Sequence, residues 1–147
     1  MESLHYLFMK TNAVFSRRVL GEVSKIGLTA GQPKVLDFLS GCPEADQKTI
    51  AARCEIEPAT VGSILLRMEK AGLILRRQRE GNRRSLYVSL TDKGRAAARS
   101  VEEIFRRAEA PVAEALTGEE LEQLKSLLAR TCAALEGKTE EGGGSRG

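Results

Sequence analysis

PATVGSILLRMEKAGLILRRQREGNRRSLYVSLT, residues 58–91, decides the fold. Pro58 suits the first position of a helix, because a helix start leaves that N–H without an intrahelical partner anyway. At 100° per residue, Val61, Ile64, Leu65, Met68 and Ala71 fall on one side. Ala59, Ser63, Arg67 and Lys70 fall on the other, with Thr60 at its margin. This spacing predicts an amphipathic helix over 58–71 that lies on a small core with one side free. Gly72 stops it. Two strands are predicted next, Leu73–Gln78 and Ser85–Leu90, joined by the arginine-rich tip REGNRR. In the second strand Leu86, Val88 and Leu90 alternate with Ser85, Tyr87 and Ser89, the pattern of a half-buried strand. Glu80-Gly81-Asn82 has turn chemistry. A helix with a hydrogen-bonding face beside a cationic β-ribbon suits a groove flanked by phosphates.

Upstream, Asp46 is a good N-cap for a short helix, Gln47–Cys54, with Ile50 and Ala51 pointing inward. The turn Glu55–Glu57 joins it to Pro58, and two helices joined by three residues match the helix-turn-helix plan. Thr29 is expected to open the helix before that, forming a capping pair with Gln32. Val35, Leu36 and Leu39 are its apolar face, and the loop SGCPEA breaks the chain after it. A long first helix is predicted from Leu4 to about Lys25, ended by Gly27. Its apolar stripe is longer than the short helices can cover, so part of it reads as an oligomer interface or, equally, as core.

Downstream, Thr91 caps a long helix that Pro111 is expected to kink or divide, since proline removes one i→i−4 bond. Thr117 and Glu120 make a second capping box. The last helix runs to Leu135 with a leucine stripe, and Gly137 ends it. The tail 137–147 is expected to be disordered.

The totals narrow the class. The chain has 147 residues, 41% hydrophobic and 29% charged, which suits one domain or one domain plus an oligomerisation part. With no Trp and 4% aromatics it is a poor base-stacking platform for single strands. No apolar run is long enough for a membrane span. The start MESLHYLFMKTNAVF lacks a signal peptide's basic start and cleavage site, so a cytoplasmic location is expected. Charge is unevenly placed: residues 46–95 carry 11 Lys/Arg and 6 Asp/Glu, while the rest carries 12 and 14. A basic middle beside an acidic remainder is the pattern of a local polyanion site.

In order and with these gaps, GLTAGQPKVLDFL, DQKTIAARCEIEPATV, LLRMEKAGLILRR and NRRSLYVSLTDKG resemble the multiple-antibiotic-resistance regulator (MarR) family of bacterial transcription factors. The resemblance covers Leu4 to Leu135. It implies a mainly α fold with a small β-wing: a winged helix-turn-helix lobe, 29–91, with recognition helix 58–71 and wing 73–90. The N- and C-terminal helices, 1–28 and 92–136, would form an intertwined dimerisation region. It further implies a homodimeric repressor that binds double-stranded DNA at an inverted-repeat operator and is released by a small phenolic or anionic effector. No cofactor, no metal and no enzymatic activity are implied.

Residue by residue, the resemblance puts Thr60, Ser63 and Arg67 in the major groove and Arg83 or Arg84 in the minor groove. Narrow minor grooves attract guanidinium groups. Arg79 and Asn82 belong to the same wing tip, and Lys48 is placed to meet a phosphate. Each has a plainer reading: the arginine run as a solvated face, Thr60 as a helix-start hydrogen-bonder. Leu90, Thr91 and Gly94 complete the family's wing-to-helix signature. The chain departs from the family at three positions. Asn82 stands where Asp is usual, Gly62 sits inside the recognition helix, and Leu66 stands on its polar face.

His5, Phe8, Asn12 and Phe15 are the candidates for an effector pocket, or else ordinary helix packing. A single histidine argues against a metal site. Cys42, Cys54 and Cys132 form neither a disulfide framework nor a zinc pattern. The alternatives are a thiol-based redox regulator of the same fold, a cysteine-dependent enzyme, and a winged-helix module for protein partners. The enzyme lacks a histidine base near either Cys42 or Cys54.

Overall fold

The computed structural model describes residues 1–138, and for residues 82–84 the backbone alone. The elements run α1 (Leu4–Ser24), α2 (Gln32–Gly41), β1 (Ala45–Asp46), α3 (Gln47–Arg53), α4 (Pro58–Lys70), β2 (Ile74–Arg79), β3 (Asn82–Leu90), α5 (Asp92–Ala115) and α6 (Gly118–Leu135). They fall into two compact units, Met1–Ala108 and Glu109–Gly147, with α5 crossing the boundary.

In the first unit, α1 starts at Ser3, whose hydroxyl accepts the Tyr6 N–H at 3.3 Å. Only Val19 and Val23 of α1 are buried, while Leu4, Leu7, Phe8, Met9 and Leu20 are exposed. The second helix begins at Gln32 rather than Thr29. Gly31 has φ +88°, which breaks the helical path and makes it the N-cap. Half of the expected capping pair survives: the Gln32 carboxamide oxygen accepts the Thr29 N–H at 3.1 Å.

Ala45, expected at the end of the SGCPEA loop, and Asp46, expected only as a helix cap, together form a short strand. It pairs antiparallel with β3, Ala45 opposite Val88 and Asp46 opposite Tyr87. The sheet order is β1-β3-β2, so the wing's second strand is its centre. Asp46 then caps α3 as expected, its carboxylate accepting the Thr49 N–H at 2.7 Å. β2 and β3 pair with Ile74 opposite Leu90 and Arg76 opposite Val88, with an irregularity between Gln78 and Arg79. Leu86, expected on the buried side, is 38% exposed because it lines an open groove beside α3 and the start of α4. Ala71 is likewise exposed, as the C-cap of a helix that ends at Lys70.

The core of this unit joins Val23, Leu36, Ile50, Leu65, Met68, Ile74, Val88 and Val101. Gly94, in the first turn of α5, is required by a close approach. A Cβ there would lie 1.9 Å from the Leu73 carbonyl oxygen.

α5 runs undivided through Pro111. In the second unit, Thr117 and Glu120 form the expected capping box, with bonds of 3.1 and 2.9 Å. α6 has no buried residue, and Leu124, Leu127, Leu128 and Leu135 are exposed. Most of the tail, residues 139–147, lies outside the described residues. Among the described residues, no helix is long and apolar enough to cross a membrane.

Candidate nucleic-acid interface

α4 has two unlike sides. Val61, Leu65 and Met68 are buried, and Ala59, Thr60, Ser63, Leu66, Arg67 and Lys70 are exposed. The Ser63 hydroxyl donates to the Thr60 carbonyl at 2.9 Å, which leaves its oxygen lone pairs facing outward as acceptors. Gly62 has a packing context: a Cβ there would lie 3.3 Å from the Gln47 side-chain nitrogen at the start of α3. Leu66 does not join the core; it is 42% exposed.

α4 is held at both ends. At its start Pro58 occupies the first turn. Past its end, the backbone N–H groups of Ala71, Gly72 and Leu73 close on the last helix carbonyls, and three groups from the beginning of α5 take up the carbonyls of those same three residues. The Lys93 ammonium donates to the Ala71 carbonyl at 2.7 Å and the Thr91 hydroxyl to the Gly72 carbonyl at 2.6 Å. The Thr91 N–H donates to the Leu73 carbonyl at 3.1 Å. Thr91 also caps α5, its hydroxyl oxygen accepting the Gly94 N–H at 3.0 Å.

Two arginines pin the wing, Arg76 near its base and Arg79 near its tip. Arg76 is bound to Glu69 of α4, and the Glu69 carboxyl is held below its ordinary range chiefly by that hydrogen bond. Arg79 pairs with Glu44 at 3.4 Å and lies over the Tyr87 ring, 4.2 Å from its centroid. Arg79 is therefore engaged at the tip end of β2 while its side chain stays half exposed. Arg77 points to the other side of β2 from Arg76 and is exposed. The side chains of Asn82, Arg83 and Arg84 lie outside the described residues; their backbone belongs to β3.

Lys48 is exposed and borders a groove of about 730 Å³ between α3, the start of α4 and β3, with Asp46, Glu57, Ser85 and Leu86 among its walls. Hydrogen bonds from the Thr49 side chain and backbone hold the Asp46 carboxyl below the usual carboxylate range.

His5, Phe8 and Asn12 face solvent on α1, and the His5 ring lies 3.4 Å from the Ser3 hydroxyl. Phe15 is half-buried and stacks on Phe105 of α5, centroids 6.4 Å apart. Among the described residues, no cluster of three or more His, Cys, Asp or Glu side chains could hold a metal. Cys54 is buried, its thiol bonded to the Lys34 carbonyl at 3.5 Å, and burial pushes its pKa up. That disfavours the thiolate a redox switch or nucleophile would need.

Glu44, Glu69 and Tyr87 were missed by the sequence reading. Glu69 and Arg76 flank the Gly72 turn with opposite charge, a detectable signal. Glu44 and Arg79 are 35 positions apart, and nothing local links them.

Two helices joined by a tight turn, followed by a cationic hairpin, define a winged helix-turn-helix protein. Residues 28–86 match the MarR family model. The chain is 31% identical over 125 residues to the HTH-type transcriptional repressor Rv2887 of Mycobacterium tuberculosis, covering 85% of this chain and 90% of that one. It is 37% identical over 111 residues to the homoprotocatechuate degradative operon repressor of Escherichia coli, 72% of each chain. Among solved structures it is similar to Rv2887 in complex with salicylic acid, at 30% identity and TM-score 0.69 over 89% of this chain and 97% of that one. It shares the fold of the S. aureus MepR–DNA complex, with TM-score 0.83 and 23% identity over 91% and 99% of the two chains. The chain belongs to the MarR family.

Proposed function

We propose that this chain is a homodimeric repressor that binds a pseudo-palindromic operator and releases it when a small phenolic or anionic molecule binds. The observation that carries the reading is α4. One side is sealed in the core, and the other presents hydroxyls and cations beside a basic hairpin. In this reading Thr60, Ser63 and Arg67 meet bases in the major groove, Lys48 meets a phosphate, and Arg83 or Arg84 enters the minor groove with Asn82 and Arg79 at the same tip. The exposed apolar residues of α1, and separately those of α6, support a dimerisation region built from 1–28 and 92–136. Monomeric proteins rarely leave such stripes to water. The salicylic acid held by Rv2887 supports an aromatic acid as effector, with His5, Phe8, Asn12 and Phe15 as its candidate contacts. A DNA partner supports a location in the bacterial cytoplasm.

The test is a mobility shift on the DNA upstream of the chain's own gene, at two salt concentrations, against a scrambled duplex. Selective binding that weakens steeply with salt is expected, because each neutralised phosphate releases counterions. Alanine at Arg83 and Arg84 together weakens binding to all sequences, whereas Arg67→Ala alters base preference. Binding unchanged in both variants would overturn these roles.

A further inference from the structure

Leu66 is a large apolar side chain on the side of α4 that the core does not use. Val61, Leu65 and Met68 are buried, and Ile64 packs against the core. Leu66 stays 42% exposed. On the helical wheel, Leu66 and Lys70 lie about 20° to either side of Ala59, with Ser63 and Arg67 beyond Lys70. Leu66 and Ala59 thus make an apolar strip near the middle of the exposed face, flanked by a hydroxyl and two cations. A single exposed leucine is ordinary on a protein surface. This one stands on the face that the proposed function sends into DNA.

The major groove offers such a side chain one apolar group, the C5-methyl of thymine. We propose that Leu66, backed by Ala59, recognises a thymine methyl in each half-site. Lys70 beside it holds the phosphate backbone, and Leu66 reads its own base edge next to the one that Arg67 meets. The discriminated feature is the methyl itself, not a hydrogen-bonding group. A 5-methylcytosine, which carries its methyl at the same ring position, satisfies Leu66 as thymine does. The inference rests on the reading that α4 enters the major groove.

The test begins with selection of duplexes from a random pool by the purified full chain. In the enriched sequence, each symmetry-related pair of thymines is replaced by 2′-deoxyuridine, which removes only the methyl. Affinity is measured by fluorescence anisotropy for the native chain, Leu66→Ala and Leu66→Gln. Leu66 is exposed, so both variants should fold, and circular dichroism checks this. At one thymine pair the native chain is expected to lose about fourfold in affinity per half-site, the worth of one buried methyl. In both variants the thymine-to-deoxyuridine ratio at that pair falls to near one. A ratio that persists in the variants, near-unit ratios at every position, or an enriched site without thymine would overturn the role of Leu66. Failure to enrich any duplex would instead overturn the DNA-binding reading on which it rests.

Discussion

Arg76 of β2 grips Glu69 of α4 with two hydrogen bonds, Nε to Oε2 at 3.2 Å and Nη2 to Oε1 at 3.0 Å. A paired fork of this kind fixes orientation as well as distance. It ties the strand that carries the wing to the helix whose exposed face carries Thr60, Ser63 and Arg67.

Glu69→Gln keeps the shape and removes one charge of this clamp. Losing a carboxylate should strengthen attraction to a polyanion if charge alone mattered. The expected outcome is the reverse, a several-fold loss of operator affinity, because wing and helix lose their common frame. Anisotropy titrations at two salt concentrations decide it. Tighter binding that grows at low salt would show that only charge counts.

The second clamp makes a parallel prediction. Arg79 is held by Glu44 and by the Tyr87 ring. Cation–π stacking of a partly exposed guanidinium contributes about 0.5–1 kcal/mol. Tyr87→Leu should therefore lower thermal stability slightly and operator affinity more, while Tyr87→Phe leaves both close to native. Equal losses in the two variants would assign the effect to the hydroxyl rather than the ring.

Two glycines should respond oppositely to alanine. At Gly94 the new Cβ would meet backbone, the Leu73 carbonyl oxygen at 1.9 Å. Backbone at a strand start cannot yield, so a destabilisation of roughly 3 kcal/mol or more is expected. At Gly62 the new Cβ would meet only the end of the Gln47 side chain, which can swing aside. Gly62→Ala should stabilise by up to about 1 kcal/mol through helix propensity. Urea denaturation of the two variants measures both signs.

Asp37 supplies a pH signature. Burial first, and then the nearby Glu102 charge, raise its carboxyl pKa above the ordinary 3.8. The folded state therefore binds this proton more tightly than the unfolded state, and ionised Asp37 opposes folding at neutral pH. Asp37→Asn should raise the melting temperature at pH 7. The gain should shrink as pH falls through the raised value and vanish below about 3.8, where both states carry the neutral acid. Glu69 and Asp46 have lowered pKa values and act in the opposite sense. Their contributions are complete above the ordinary carboxylate range and are lost as pH falls through their depressed values. Melting curves from pH 3 to 8 separate the two kinds of group.

Much of the fold was legible because it is written in local chemistry. Pro58, Asp46, Thr91 and Thr117 mark helix starts by what their own atoms can or cannot bond, and each stands where it was expected. The 3.6-residue period separates the buried Val61, Leu65 and Met68 from the exposed Thr60, Ser63 and Arg67 without any knowledge of a partner. The start of α2 was misread because Gly31 takes a left-handed conformation that the Thr29–Gln32 pattern does not announce. β1 was missed because two residues are too short for a periodic signal; only pairing with Val88 and Tyr87 makes them a strand.

By itself, then, the sequence determined the helix starts marked by Asp46, Pro58, Thr91 and Thr117, the inward and outward sides of α4 and the cationic hairpin, all set by interactions within a few residues. Only the tertiary structure decided which charges are spent. Arg76 and Arg79 look like Arg67 and Arg77 in the sequence, yet the first two are bound to Glu69 and Glu44 and the others are exposed. That division depends on where the α2–β1 loop and the end of α4 come to lie beside β2. Packing of the shared core sets those positions, and for Arg79 and Glu44, 35 positions apart, no local pattern encodes them.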